Sequence, residues 1–295
     1  MKVAIVAHAA KTLDGGLPEL RRVLETEGVD KPLWYEVPKA KKASEQVQRA
    51  LDEGAELVFA WGGDGTVRRC VDKLAGTDTS LAVVPAGTAN LFATNLGIPT
   101  DIEGAVAVGL RGHRRRLDVG RFEQERFGVM AGAGFDAAMI RGADELKERM
   151  GRAAYLWSGS RNLGGDGFRA EIQVDGTDWY EGRTTCILLG NLGQVVGGVR
   201  VFPDARPDDG LLELGIVTAE GLLQWTRTLA RTAIGDPNRS PFVRTTKASS
   251  VKVALDRKVR YELDGGDRSK VKSFRVEVEE RALKVCVPRP DEEKI

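Results

Sequence analysis

Two glycine-rich polar turns carry most of the chemistry legible in this 295-residue chain. The first, Gly62-Gly63-Asp64-Gly65-Thr66, follows the apolar run 57–61, and the second, Pro85-Ala86-Gly87-Thr88-Ala89-Asn90, follows the apolar run 81–84. Glycine lets a backbone approach an anion closely, and a strand-to-helix turn offers N–H groups at a positive helix end. Thr66 adds a hydroxyl donor. The chemistry such a pair supports is phosphate binding. A carboxylate set among phosphates repels them unless it handles a metal or a proton, so Asp64 reads as catalytic. An ordinary tight turn with Asp64 as a cap is the competing explanation of the first motif, and the matching Gly87-Thr88 turn weighs against it.

The elements that must position these turns alternate. Short apolar runs at 3–7, 33–37, 57–61 and 81–84 predict strands. Between them lie helical patterns: one entered at Pro18 and running to about Glu27, and one carrying Ala43, Val47, Ala50 and Leu51 before Gly54. Asp101 is placed to cap a further helix carrying Ile102, Ala105, Val106 and Leu110. Strands alternating with helices predict a mostly parallel, layered sheet, whose ligands bind beyond the carboxyl ends of the strands. Both glycine turns fall at that end. So do Lys39, Lys41 and Lys42, of which one, Lys39 first, is a candidate for a nucleotide phosphate.

Near residues 117–120 the texture changes to alternating patterns: Ile172/Val174 before the hairpin signal Asp175-Gly176, then 251–255, 259–263, 274–278 and 283–287. Helical signal survives at 144–150 and 222–234. The fold expected is an N-terminal three-layer α/β nucleotide-binding domain over 1–119 and a C-terminal antiparallel β-sandwich over 120–295, with the last residues free to return to the first domain.

Composition narrows the classes. The 44 basic and 43 acidic residues nearly cancel, which gives no electrostatic case for a nucleic-acid partner. Cys70, Cys186 and Cys286 lie far apart beside apolar runs, as buried free thiols of a cytoplasmic protein do. With only two histidines, a histidine metal site is not expected. No signal peptide or membrane-spanning run is seen. The run Gly132-Ala133-Gly134-Phe135-Asp136-Ala137 fits the dinucleotide fingerprint formally, yet lacks its βαβ context and reads as a domain-entry turn. Arg114-Arg115-Arg116 reads as a solvated helix end or strand start. In Pro203-Asp204-Ala205-Arg206-Pro207-Asp208-Asp209-Gly210-Leu211, Asp209 sits either in an Asp-Gly turn or beside carbonyls that hold a hard cation such as Mg²⁺. Asp264-Gly265-Gly266-Asp267 reads as a hairpin turn.

The first motif together with Pro85-x-Gly87-Thr88-x-Asn90 and the following Leu96-Gly97-Ile98-Pro99 resembles the catalytic domain of the diacylglycerol kinase family, which includes bacterial lipid kinases and sphingosine kinases. Asn191, Gly197-Gly198, Pro203-x-Ala205 and Asp208-Asp209-Gly210 match the family's second-domain pattern in order, so the resemblance spans nearly the whole chain. It implies ATP as co-substrate, held by Gly62, Gly63, Asp64, Gly65, Thr66, Gly87, Thr88 and Asn90. It implies a lipid hydroxyl, of diacylglycerol or a related lipid, as acceptor. It also implies a Mg²⁺ site at Asp209 with the carbonyls of Arg206 and Leu211. A cytoplasmic enzyme touching the inner membrane face transiently is the expected setting, and a homodimer is compatible with it. The segment 151–157 is a candidate wall for the apolar acceptor.

The chain departs from the pattern in three places. Its first strand ends Ala7-His8-Ala9-Ala10 where the family has Asn-Pro. Arg68-Arg69 replaces Asn-Glu. Gly266 stands where the family carries the Glu of a catalytic Asp-Gly-Glu. Asp264, Asp267 or Asp64 is then left as the proton acceptor, and Arg69 is placed to neutralise γ-phosphate charge. The departures leave two rivals: an NAD kinase-like transferase on a soluble substrate, and a nucleotide-binding regulator without transfer activity.

Overall fold

The structure, a computed structural model, describes residues 1–134, 167–195, 198–219 and 240–289. The helical signals at 144–150 and 222–234, the segment 151–157, residues 135–137 and Gly197 lie outside the described residues. The chain divides into two compact units, one made of Met1–Val119 with Glu280–Ile295, the other of Gly120–Glu279.

In the first unit, β1 (Val3–His8), β2 (Leu33–Val37), β3 (Leu57–Gly62) and β4 (Ser80–Pro85) run parallel in the order β2-β1-β3-β4. The end of a long strand, β14 (Gly266–Val287), adds beside β4 through Lys284 and Val285. Every residue of β3 and β4 is buried. This is why their sequences are continuous apolar runs, the mark of a sheet covered on both faces. Helices α1 (Gly16–Thr26), α2 (Ala43–Asp52), α3 (Asp64–Leu74), α4 (Leu91–Asn95) and α5 (Ile102–Arg111) complete the unit, with α1 packed on α5 and α2 on α3. Phe59, Trp61, Leu57 and Leu81 are among the fully buried side chains, each contributing about 1.5–3 kcal/mol through burial. The Asp101 carboxylate accepts from Gly104 N at 2.7 Å, the cap expected for α5.

The second unit is antiparallel. It contains β5 (His113–Phe122, entering from the first unit), β6 (Glu125–Phe127), β7 (Met130–Ala133), β8 (Phe168–Val174), β9 (Thr177–Thr184), β10 (Cys186–Gly190), β11 (Leu212–Val217), β12 (Val243–Ala248) and β13 (Ser250–Leu263) with most of β14. One sheet runs β12-β11-β10-β7-β13-β14. A separate branch, β9-β8, also joins β13. Here one strand serves two layers: residues 251–255 of β13 pair with β8, whereas 261–263 pair with β7. Between them the register against β14 shifts from Ala254 to Val259, a bulge that bends the strand from one sheet into the other. Ile172, Leu189, Leu214, Val253, Leu263 and Phe274 meet in the core between these layers. The chain therefore forms the α/β domain plus β-sandwich that its sequence leads one to expect.

Two details correct the strand-by-strand reading. The alternating segments 251–255 and 259–263 are one strand, and 274–278 and 283–287 are another. The second pair is out of phase because Arg281 adopts a left-handed φ of 49° and turns the strand over.

Candidate functional site

The two glycine turns of the first unit lie side by side at the carboxyl ends of β3 and β4. A Cβ on Gly63 would stand 3.1 Å from Gly87 Cα, and one on Gly87 would overlap Gly63 Cα and come within 2.6 Å of Asn90 Oδ1. Both positions are thus glycine because the two backbones touch. Gly63 begins α3 with no side-chain cap, while Thr66 N and Val67 N bond back to Gly63 O at 2.9 and 3.1 Å. The uncapped first turn brings the helix's partial positive charge to this point. Thr66 is 1% exposed, and its Oγ1 has no hydrogen-bond partner. A buried hydroxyl without a partner is costly and asks for a ligand or water.

The second turn is held by Asn90, whose φ of 48° and ψ of 44° suit asparagine better than other side chains. Its Oδ1 accepts from Gly87 N at 2.9 Å, and its Nδ2 donates to Pro85 O and Gly87 O at 3.0 and 2.9 Å. Its amide shapes the loop, leaving the exposed Thr88 at the tip. Asp64 Oδ1 accepts from Phe92 N at 3.2 Å, so the carboxylate of the first turn also anchors the helix that follows the second. Gly65 adjoins the short 3₁₀ turn Ala40–Lys42, since a Cβ there would stand 3.7 Å from Ala40 Cβ. Lys39, exposed, immediately precedes that turn. Lys42 is instead paired with Glu45 at 2.8 Å. At the end of β1, His8 Nε2 lies 3.2 Å from Pro38 O. On α3, Arg68 is buried at 3% exposure and Arg69 is half-buried. Arg114 and Arg116 of β5 are engaged with Gly109 O at 2.8 Å and Asp78 at 2.6 Å.

In the second unit the Asp264-Gly265 turn has φ values of 47° and 72° and joins β13 to β14 as a tight hairpin. Asp264 is 5% exposed. Its carboxylate accepts from Gly128 N at 2.9 Å, Val129 N at 2.8 Å and Met130 N at 2.9 Å, and its own N–H donates to Met130 O at 2.9 Å. Asn191 reinforces the same segment, donating from Nδ2 to Gly128 O at 3.0 Å and from its backbone to Val129 O at 2.9 Å. Sequence reasoning gave no signal for this anchor, because its partners lie far away in the chain. Asp267, by contrast, is exposed on the first turn of β14. Gly132 sits inside β7, opposite Leu188 and Glu262, rather than in a dinucleotide-binding turn.

Asp209 lies in a polar turn before β11. Its Oδ1 accepts from Leu211 N at 3.2 Å, and its Oδ2 takes the Lys247 ammonium at 2.9 Å. Lys247 is directly opposite Glu213 in the β11–β12 ladder and pairs with it at 3.3 Å. Burial, aided by Asp204 and Asp209, raises the Glu213 carboxyl against the pull of Lys247. The hydrogen bond to Asp209 is the main cause that raises the Lys247 ammonium. The three cysteines are buried and free, with burial pushing Cys70 up to about 12 and Cys286 to about 11.

Comparison with known proteins decides the family. Residues 8–122 match the diacylglycerol kinase catalytic domain, and residues 129–287 match the YegS C-terminal NAD kinase beta sandwich-like domain. The chain belongs to the diacylglycerol kinase family. It is 32% identical to a Klebsiella pneumoniae protein named "Probable lipid kinase YegS-like", over 93% of this chain and 92% of that one. It is 29% identical to a diacylglycerol kinase of Staphylococcus saprophyticus, over 84% and 82%. A crystal structure of a diacylglycerol kinase from Bacillus anthracis superposes with a TM-score of 0.76 at 21% identity, over 98% and 97% of the chains. An Archaeoglobus fulgidus NAD kinase solved with ATP gives 0.51 at 13% identity, over 97% and 93%. The last two establish the likeness of fold.

A kinase family implies ATP as co-substrate. The residues present in the first unit fit a phosphate group: a cradle that a Cβ would fill, an uncapped helix start and an orphaned buried hydroxyl. A divalent ion at Asp209 fits less well. Both carboxylate oxygens already have donors, one of them a lysine ammonium that supplies the positive charge itself. Among the described residues no group of three acidic, histidine or cysteine side chains gathers as a metal cage. No catalytic step is therefore derived through an ion at Asp209, Arg206 and Leu211.

Proposed function

We propose that this member of the diacylglycerol kinase family transfers the γ-phosphate of ATP to a hydroxyl of diacylglycerol or a related lipid. The observation that carries the reading is the contact between Gly63 and Gly87, which makes one phosphate cradle from two turns. The N–H groups at the start of α3 and the Thr66 hydroxyl bind phosphate oxygens in it. Lys39 and Arg69 supply positive charge towards the outer phosphates, Lys39 from beside the Gly65 turn. Any magnesium enters with the nucleotide, as part of the substrate.

Phosphoryl transfer needs positioning and charge neutralisation more than covalent help. In this reading Asp64, within the cradle, receives the proton that the acceptor hydroxyl loses. Asp267 is the second candidate for that role. Asp264 serves by holding the hairpin turn in place, because its carboxylate is bonded to three backbone amides. The apolar acceptor binds in the second unit. Membrane contact is then transient and superficial, in keeping with the finding that no helix among the described residues is long and apolar enough to cross a bilayer.

The test is label transfer from γ-labelled ATP, with a total-lipid extract in one reaction and NAD in another. A labelled, solvent-extractable lipid that mass spectrometry identifies as a phosphomonoester is the expected product. Label in NAD alone would give the function to the soluble-substrate rival. ATP binding without any labelled product across a broad lipid panel would give it to a non-catalytic regulator.

A further inference from the structure

Among the described residues Arg68 is the one lysine or arginine that is buried, at 3% exposure. A guanidinium cannot shed its charge, so a position that takes it out of water must supply a carboxylate. The family pattern has a neutral Asn at this place, which makes the buried charge a departure of this chain.

The elements packed around Arg68 narrow the choice of carboxylate. Its own helix α3 carries two, Asp64 four residues before it and Asp72 four residues after it. Of the elements packed most closely on α3, β3, β4, α4 and the 3₁₀ turn have none. On α2, Glu45 and Asp52 are exposed and bond to Lys42 and Gln48. Residues four apart stand about 40° from each other around a helix, one turn apart along it. Val67, Val71 and Leu74 mark the core side of α3. Asp64 lies on that side of Arg68, whereas Asp72 lies on the other, towards the exposed Gly65 and Lys73. Helical side chains also lean towards the N-terminus, which carries the guanidinium back to Asp64 rather than forward to Asp72. An acid that precedes its basic partner by four residues is the better order for such a pair.

We propose that Arg68 is a positioning residue that pairs with Asp64 and so lets this carboxylate share the cradle with the phosphates of ATP. The inference rests on the phosphate-transfer reading above and deepens it by giving the arginine at 68 a role. A bare carboxylate repels the phosphates it must act beside. With a guanidinium on its core side, that charge is cancelled locally and the pair presents little net charge to the nucleotide. Arg68 then needs no contact with ATP. The carboxylate is also held from two elements, by Phe92 N of α4 on Oδ1 at 3.2 Å and by Arg68 of α3. This fixes the direction from which it meets the acceptor hydroxyl, the positioning on which such a transfer depends. Arg69, half-buried and about 100° further round the helix, stays available to the outer phosphates.

The experiment is a double-mutant cycle on the full chain, read by calorimetric ATP binding and by thermal melting without nucleotide. Arg68→Gln leaves the Asp64 charge uncancelled, and is expected to melt lower and bind ATP at least about tenfold more weakly than wild type. Asp64→Asn is expected to bind ATP within about threefold of wild type, and to melt lower because a buried guanidinium has lost its partner. Asp64→Asn/Arg68→Gln replaces the pair by two neutral amides. It is expected to melt above either single variant and to recover ATP affinity to within about threefold of Asp64→Asn, with transfer still as low as in Asp64→Asn. An arginine that bonded phosphate directly would leave the double variant as weak for ATP as Arg68→Gln. One that only filled space would leave ATP affinity unchanged in every variant. Either result overturns the proposal, as does recovery in Arg68→Gln/Asp72→Asn but not in the Asp64 double variant. Should Arg68→Gln fail to fold, a double variant that melts below Asp64→Asn rejects the pair. Label transfer from ATP to a lipid extract separates the two readings. Additive losses in the cycle, with labelled lipid formed by wild type, reject the pair alone. Coupled melting with no labelled lipid rejects the kinase reading and leaves the pair.

Discussion

The turn that opens α3 and the turn that closes the β13–β14 hairpin are built from the same residue types, Asp with Gly, and use them in opposite ways. At Asp264 the carboxylate is buried and bonded to Gly128, Val129 and Met130 N–H groups. Its polar capacity is spent on holding the chain. At the first turn, glycines pack against the neighbouring turn, the helix start lacks a side-chain cap, and Thr66 Oγ1 is buried without a partner. Its polar capacity is left over. A motif therefore becomes a binding site according to where its hydrogen bonds go, and two similar stretches of sequence can differ on that point alone. Asp209 is a third case, in which a neighbouring strand supplies the cation.

Four substitutions break or sharpen this contrast. Asp64→Ala is expected to lower phosphate transfer by about a hundredfold or more, the scale of losing general-base or charge-positioning help, with ATP affinity little changed. Measuring kcat and nucleotide binding separately checks it, and unchanged turnover would remove Asp64 from the chemistry. Asp264→Ala is expected to act through stability, costing about 3 kcal/mol as three buried N–H groups lose a charged acceptor. Urea unfolding reads this directly; lost transfer at unchanged stability would make the two aspartates alike after all. Thr66→Val removes a hydroxyl that has no partner in the protein. It should leave the melting midpoint equal or higher and weaken ATP a few-fold, about 1 kcal/mol. Lys247→Met should cost less than about 1 kcal/mol, as expected for a half-exposed pair. Thermal melts without nucleotide would show the loss recovered by added magnesium in the variant, and no response to magnesium in wild type.

The sequence was most readable where structure is local. The uninterrupted apolar runs of β3 and β4, the Asp101 cap, and the Asp175-Gly176 hairpin each depend on neighbours in the chain, and each formed where its residues pointed. The adjacency of Gly63 and Gly87 was legible too, because parallel strands joined by one helix must bring their ends together. What stayed hidden depends on register between distant segments. Nothing near Asp264 announces that its carboxylate holds Gly128–Met130, and nothing near Asp209 announces Lys247. Bulges concealed the rest: two alternating segments separated by an irregularity look like two strands, whereas β13 is one strand shared by two layers. Asn90 shows the same limit at shorter range. Its place in the motif marks it for the ligand, yet its amide is used to build the loop.

The most direct test of the two-turn phosphate cradle is calorimetric ATP binding to wild type and Gly87→Ala under identical conditions, with circular dichroism confirming that both are folded. The added methyl group would overlap Gly63 Cα and crowd Asn90 Oδ1. Affinity is expected to fall by at least about tenfold, roughly 1.4 kcal/mol. A folded Gly87→Ala protein that binds ATP as tightly as wild type would contradict the account.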